Sequence, residues 1–139
     1  MNQKSTRKLL RWGALLCASA AVFLGPPVLH AHGWQAPEGA AARKNPVAAD
    51  PASIQRGRTL YLENCAACHG RGAEGDGSMA SALTTPPTDL VKVSGHHPDG
   101  DFFWKIETGK GAMPGFRERL AEEQIWDLVN YIQSLKPAQ

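Results

Sequence analysis

The chain has 139 residues, of which 42% are apolar and 20% are charged, and its formal net charge is +2 at pH 7. These values are typical of one small soluble domain and exclude a disordered chain or one that crosses a membrane repeatedly. A charge this close to neutrality also gives no indication of nucleic-acid binding.

The N-terminus has the layout of an export signal. Four basic residues without an acid precede an apolar stretch of 14 residues, Trp12 to Gly25; they are Lys4, Arg7, Lys8 and Arg11. This stretch is shorter than the roughly 20 residues that cross a bilayer. We therefore predict a signal peptide over residues 1–31 and a periplasmic or other extracytoplasmic location, with an uncleaved membrane anchor through residues 12–31 as the alternative.

Removal of the predicted signal changes the composition of the mature chain. The formal charge falls from +2 to −2, because four basic residues and no acids are lost. Cys17 lies inside the apolar stretch and lacks the small preceding residue that is typical of a lipidated cysteine. We predict that it is discarded with the signal, which leaves two cysteines in the mature protein.

The next segment, residues 32–49, is rich in Ala, Pro and Gly and has no sustained period, so we predict an extended arm or linker. Asp50 and Pro51 then indicate a helix start, with an acceptor at the N-cap and proline at the first helical position. This helix should run to about Asn64. Gly57 interrupts its apolar stripe, where it permits close approach of another helix.

Residues 70–98 are rich in glycine and proline and are predicted to be mainly loop. Asp99 is expected to cap a short helix that stops at Gly109. The last helix is the clearest, since its apolar residues recur with helical spacing: Ile125, Leu128, Val129, Ile132 and Leu135. Lys136-Pro137 is expected to end it. No alternating run indicates a sheet, and the predicted fold class is all-α over residues 50–139, with three main helices and long loops.

Residues 65–69, Cys-Ala-Ala-Cys-His, form a C-x-x-C-H motif, which is the signature of c-type haem attachment. Two thiols three residues apart on a helical turn face the same side, so Cys65 and Cys68 can form thioethers to one porphyrin edge. His69 can then ligate the iron. A zinc site would need a second cysteine pair, and a thioredoxin-like redox pair would need a preceding strand. Both alternatives explain less of the chain than one covalently bound haem c.

A six-coordinate haem iron needs a second axial ligand, for which the candidates are Met113, Met79, His96 and His97. Met113 lies among glycines that permit close backbone approach and before a proline that stiffens the loop, and we predict it as the ligand. Met79 lies in a Gly- and Ala-rich loop and is typical of an exposed gap-filling residue. The histidine pair is typical of a solvated loop, and its ligation would give a lower reduction potential than methionine ligation.

With the attachment motif, the Met113 segment and the final helix, residues 50–136 resemble the class I cytochromes c, the monohaem c-type cytochromes. In that family the first and last helices cross through a glycine and aromatic residues. The matching residues here are Gly57, Tyr61, Leu128 and Tyr131. The resemblance also implies that a proline carbonyl, from Pro86 or Pro87, orients the proximal histidine.

One departure from the family lies at the start of the last helix. Relatives often carry Ser or Thr at the cap, whereas this chain has Ala121. Without an acceptor side chain at that position, the first turn of the helix is expected to fray.

The resemblance and the two axial ligands imply electron transfer without enzymatic activity, because no coordination position is left for a substrate. The expected partners are redox proteins in transient contact: an upstream dehydrogenase or quinol-oxidising complex and a downstream oxidase or reductase of a respiratory chain. Such encounters usually bury less than about 1,200 Å². Two alternatives remain. Displacement of Met113 would open the iron to peroxidase-like chemistry or gas binding, and an uncleaved N-terminus would make the protein a tethered subunit of a larger complex.

Overall fold

The computed structural model describes residues 33–135. The predicted signal peptide or anchor, Cys17 and the expected helix stop at Lys136-Pro137 lie outside these residues. Within them the chain forms six α-helices and one short 3₁₀ turn, and no β-strand. The predicted all-α class is confirmed. The helices are α1 (Glu38–Ala41), α2 (Pro51–Asn64), α3 (Ala66–His69), α4 (Leu90–Val93), α5 (Asp99–Thr108) and α6 (Glu122–Ser134), and the 3₁₀ turn is Ala80–Ala82.

The core is organised around the crossing of α2 and α6. A Cβ on Gly57 would overlap the backbone carbonyl of Asp127, so only glycine permits this approach. One turn further along α2, the ring of Tyr61 packs 5.2 Å from that of Tyr131 between centroids. Tyr61 and Leu128 are completely buried. The crossing expected from Gly57 and these side chains is confirmed.

A buried polar cluster joins the same two helices. Asp127 is 2% exposed, and its carboxylate accepts a 2.6 Å hydrogen bond from the Ser53 hydroxyl. Arg56 donates to both carboxylate oxygens at 2.8 Å. The Ser53 hydroxyl in turn accepts from Asn130 at 2.8 Å. Because each of these polar groups has a partner, their burial does not carry the cost of an unsatisfied group.

The observed helix ends agree in part with those predicted from the sequence. Asp50 caps α2 as predicted, since its carboxylate accepts from the Ser53 backbone N–H at 2.8 Å. Gly109 ends α5 with φ +67°, also as predicted. The expected cap at Asp99 is wrong: the helix begins at Asp99, and Pro98, which has no side-chain acceptor, occupies the cap position.

At the start of α6 a neighbouring residue replaces part of the missing cap. Ala121 has no acceptor side chain, but its backbone N–H donates to Gln124 Oε1 at 2.9 Å. This bond is the half of a capping box that reaches back from the third helical residue. It opposes the fraying expected from Ala121.

Residues 33–49, which we call the arm, contain α1 and pack along α5 and α6. Asn45 donates to the carbonyl of Trp126 at 3.2 Å and to Asn130 Oδ1 at 2.8 Å. Arg43 lies 4.3 Å from the ring centroid of Phe103 and pairs with Glu122 at 2.6 Å. The arm is therefore attached to both helices by side-chain contacts.

Between residues 33 and 135, no helix is both long enough and apolar enough to cross a membrane.

Candidate functional site

Cys65 stands at the joint between two helices. Its N–H donates to the Tyr61 carbonyl at 2.8 Å and ends α2, and its own carbonyl accepts from the N–H groups of Cys68 at 3.1 Å and His69 at 2.9 Å. The two thiols and the imidazole therefore belong to one turn. Both cysteines are partly buried, and neither is in a disulfide.

The donor set fits haem attachment better than the alternatives. Burial raises the pKa of the Cys65 thiol to about 12, and the neighbouring Cys68 adds to the rise. A thiol with so high a pKa is protonated at neutral pH, unlike the low-pKa cysteine of a disulfide redox pair. Among residues 33–135 no three His, Cys, Asp or Glu side chains are grouped as a metal site requires. Two free thiols beside one imidazole fit a porphyrin edge.

His69 is oriented by a backbone carbonyl. Its Nδ1 lies 3.0 Å from the oxygen of Thr88. A carbonyl only accepts, so Nδ1 carries the hydrogen and Nε2 is left as the basic nitrogen that can bind a metal. The expectation that Pro86 or Pro87 supplies this carbonyl is wrong. The Pro87 carbonyl lies instead against Gly75, where an added Cβ would come within 2.6 Å of it.

The loop after the motif returns to α3 and holds it in place. The N–H groups of Gly75, Gly77 and Met79 donate to the carbonyls of His69, Cys68 and Ala67 at 2.8, 3.1 and 2.9 Å. From α2, the Tyr61 hydroxyl donates to the Gly70 carbonyl at 2.7 Å in the buried interior. These contacts satisfy the free carbonyls of a short helix and fix the turn that carries the thiols.

Met113 lies in a tight turn after α5. The N–H of Lys110 donates to the Met113 carbonyl at 2.9 Å, and the N–H of Met113 donates to the Lys110 carbonyl at 3.1 Å. Gly109 and Gly111 have φ values of +67° and +59°, which favour glycine. Past the turn, the Phe116 N–H donates to the Ile106 carbonyl of α5 at 3.0 Å.

The four sixth-ligand candidates lie in different surroundings. Met113 is partly buried against the apolar core, as is Cys65. Met79 is 52% exposed, and His96 is exposed. His97 Nδ1 lies 2.9 Å from Asp101 Oδ2. Of these four, Met113 is the one that, like Cys65, is a partly buried hydrophobic residue packed against the core.

Sequence reasoning missed Thr88. A local signal for it exists in the next residue, because Asp89 caps α4 by accepting from the Lys92 N–H at 3.1 Å. The same carboxylate forms a 2.8 Å ion pair with the Lys92 ammonium. A capping residue fixes the direction in which the chain enters a helix, and hence the direction of the carbonyl just before it.

Comparison with known proteins identifies relatives over this region. The family model described as "Cytochrome C oxidase, cbb3-type, subunit III" matches residues 52–132, which is more than half of the chain. Cytochrome c6 of Thermosynechococcus vestitus is 33% identical over 85 residues, covering 61% of this chain and 72% of the relative. The cbb3-type cytochrome c oxidase subunit CcoP of Azospirillum brasilense is 34% identical over 87 residues, covering 62% of this chain but only 30% of that subunit.

Two solved structures share the fold. A chain of the Kuenenia stuttgartiensis reducing HAO-like protein complex superposes with a TM-score of 0.59 at 27% identity, over 66% of this chain and 47% of that one. The KustC0563 c-type cytochrome has a TM-score of 0.50 at 24% identity, over 58% of this chain and 98% of the other. The first match spans about half of a longer chain, and the second shows the fold alone.

Proposed function

Because the chain belongs to the c-type cytochrome family, and is a monohaem member that binds haem c covalently and transfers electrons, we propose which residues carry this function. Cys65 and Cys68 hold the haem through thioethers. His69 and Met113 would ligate its iron.

The observation that carries this proposal is the arrangement of the attachment turn. Two unpaired thiols and an imidazole share α3 and its cap, and the Thr88 carbonyl at 3.0 Å fixes the tautomer and direction of the His69 ring. A hydrogen bond to the far nitrogen of a ligating histidine also raises the basicity of the ligating one. When bound, the haem supplies an iron that gains and loses one electron.

Met113 is supported by its backbone and its burial. Two hydrogen bonds close the Lys110–Met113 turn, so the backbone that carries the Met113 sulfur is restrained. The side chain lies against the core and is partly buried. A methionine opposite a histidine raises the reduction potential.

We propose that the protein is a carrier and not an enzyme. With His69 and Met113 both bound to the iron, the chain would leave no coordination position for a substrate. The role of the protein is then to keep the two ligands fixed and their surroundings apolar. Both limit the structural reorganisation that accompanies a change in the charge of the iron.

The proposed setting is outside the cytoplasm. The export signal predicted over residues 1–31 would deliver a mature chain of formal charge −2. Its partners are redox proteins. We propose an upstream dehydrogenase or quinol-oxidising complex as donor and an oxidase or reductase as acceptor, meeting this protein in short-lived contacts.

The test compares two methionines in the purified ferric protein. The haem should first be shown to remain bound in acidified acetone, as thioethers require. Met113→Leu should then abolish the far-red methionine-to-iron band and make the reduced protein bind carbon monoxide readily. Met79→Leu is the matched control and should leave both properties unchanged. A band that survives in Met113→Leu, or ready carbon monoxide binding by the unaltered protein, would overturn the ligand assignment and favour the open-site enzyme.

A further inference from the structure

The first residues of the arm run along α5 toward the turn that carries Met113. The Ala36 N–H donates to Asp101 Oδ1 at 2.9 Å, in the first turn of α5. The ring of Trp34 lies 6.3 Å from that of Trp104, further along the same helix. The carbonyl of Gly33 accepts from Lys110 Nζ at 3.2 Å. Gly33 of the arm therefore contacts the Lys110–Met113 turn.

Trp34 lies against two lysine ammonium groups. Lys105 Nζ and Lys110 Nζ are each 5.8 Å from its ring centroid, within the range of a cation–π attraction. Lys105 is held by a 2.7 Å ion pair with Asp101, and its side chain is only 15% exposed. Lys110, by contrast, is exposed. The indole of Trp34 thus contacts both Lys105, which is held in place on α5, and Lys110, which is the exposed lysine of the turn.

Lys110 is coupled to Met113 through the backbone. The two residues exchange N–H to carbonyl hydrogen bonds at 2.9 and 3.1 Å, so they move together. Gly109 and Gly111 flank Lys110, and glycine is the residue least restrained by its own backbone. Contacts that hold the Lys110 side chain therefore also restrain the turn.

We propose that Trp34 is a positioning residue for the sixth iron ligand: through Lys110 it steadies the turn that presents Met113. The inference rests on the proposed role of Met113. Cyanide binds the ferric iron only after the thioether has left it. A turn that is less restrained releases the sulfur more often, so cyanide binding should become faster.

A general stabilising role of the arm would have a different effect. Arg43 attaches the arm elsewhere, through its 2.6 Å ion pair with Glu122 on α6 and its position over Phe103. Loss of that contact should weaken the fold without reaching the Met113 turn. Arg43→Leu is therefore the matched control for an arm that only stabilises the domain.

The experiment measures the rate of cyanide binding to the ferric holoprotein at a fixed cyanide concentration, together with the thermal midpoint and the far-red band. Trp34→Ala should raise the rate about fivefold, the factor expected when exposed cation–π contacts are lost. Lys110→Leu removes the same contact and should raise the rate by about the same factor. Trp34→Phe, which keeps an aromatic face, should restore most of the native rate. Arg43→Leu should lower the thermal midpoint and leave the rate unchanged.

The double variant tests the route through Lys110. If Trp34 acts on that lysine, Trp34→Ala combined with Lys110→Leu should bind cyanide no faster than Trp34→Ala alone. An unchanged rate in Trp34→Ala, or fully multiplied effects in the double variant, would overturn the inference while leaving Met113 as the ligand. Absence of the far-red band from the unaltered protein would overturn the assignment of Met113, and the inference with it.

Discussion

Gly57 and the backbone of Asp127 are in direct contact, so α2 and α6 cross with main chain against main chain. No side chain larger than hydrogen fits between them. The helices that carry and brace the attachment site therefore depend on one residue without a Cβ.

Gly57→Ala is expected to destabilise the protein. Overpacking at a tight site costs about 1–3 kcal/mol, which outweighs the gain of at most about 1 kcal/mol from replacing a mid-helix glycine by alanine. Denaturant unfolding of the ferric protein measures the difference. Gly39→Ala in α1 is the control, since an added Cβ there meets no atom within 4 Å. Equal stability of the two variants would contradict the close crossing.

Ser53→Ala should cost about 1–3 kcal/mol of unfolding free energy, because it removes a hydrogen-bond partner from two buried groups. The serine hydroxyl donates to Asp127 and accepts from Asn130. Ser81→Ala, on the exposed 3₁₀ turn, should change stability by less than about 0.5 kcal/mol. A loss at Ser53 no larger than that at Ser81 would mean that the polar cluster adds nothing.

The stability of the protein should depend on Asp101 at low pH. Burial alone would raise the pKa of this carboxyl, but hydrogen bonds from Lys105 and the Ala36 N–H, with the charge of Lys105, lower it below its ordinary value. Because the pKa of Asp101 is lower in the folded than in the unfolded chain, the ionised carboxylate stabilises the fold at any pH above the unfolded-state pKa of about 3.9. This stabilisation is lost as the pH falls through the native pKa.

Asp101→Asn tests this dependence. At pH 7 the variant should lose about 1.5–3 kcal/mol, the usual contribution of a hydrogen bond to a charged group. The difference from the native protein should shrink as the pH falls below about 4, because the carboxyl of the unfolded chain takes up a proton first and the native carboxylate does so at a lower pH. Thermal midpoints from pH 7 to 3 give the profile. The exposed Glu38→Gln is the control, and a difference at Asp101 that stays constant over this range would contradict the prediction.

Gly75→Ala should raise the reduction potential. Gly75 has φ +82° and faces the Pro87 carbonyl, so a Cβ there displaces the segment that carries Thr88. A weaker bond from His69 to Thr88 makes the imidazole less basic and the ferric state less favoured. A loss that is about 0.5–1 kcal/mol larger in the ferric than in the ferrous state corresponds to roughly 20–45 mV.

Redox titration measures this shift. Gly72→Ala is the matched control, since an added Cβ there makes only ordinary contacts at 3.8 Å with Glu74. An unchanged potential in Gly75→Ala, with the haem still attached, would show that the Thr88 carbonyl does not tune the site.

The sequence predicts what is determined locally. The C-x-x-C-H motif, the Asp50 cap and the stripe of α6 each depend on residues a few positions apart. Gly57 was also identified, because a glycine inside an apolar helical stripe is itself unusual. These features cover the main helices and the attachment turn.

The features that the sequence does not predict depend on contacts between segments far apart along the chain. The partner of His69 is set by how the loop of residues 70–98 returns to α3, and Thr88 has no motif of its own. Proline was expected there from the resemblance, but the close packing of Gly75 against Pro87 turns that carbonyl away. The contacts of Trp34 with Lys105 and Lys110 join positions more than 70 residues apart along the chain, which no local pattern records.

The position of Cys65 at the joint of α2 and α3 bears on the timing of maturation. The hydrogen bonds that gather Cys65, Cys68 and His69 close within five consecutive residues, and the loop residues that brace this turn, Gly75 to Met79, follow it shortly along the chain. Thr88 and Met113, in contrast, reach the site only when the loops have folded. If these residues hold the haem as proposed, covalent attachment requires only this local segment, and Thr88 and Met113 complete the surroundings of the group as the loops fold.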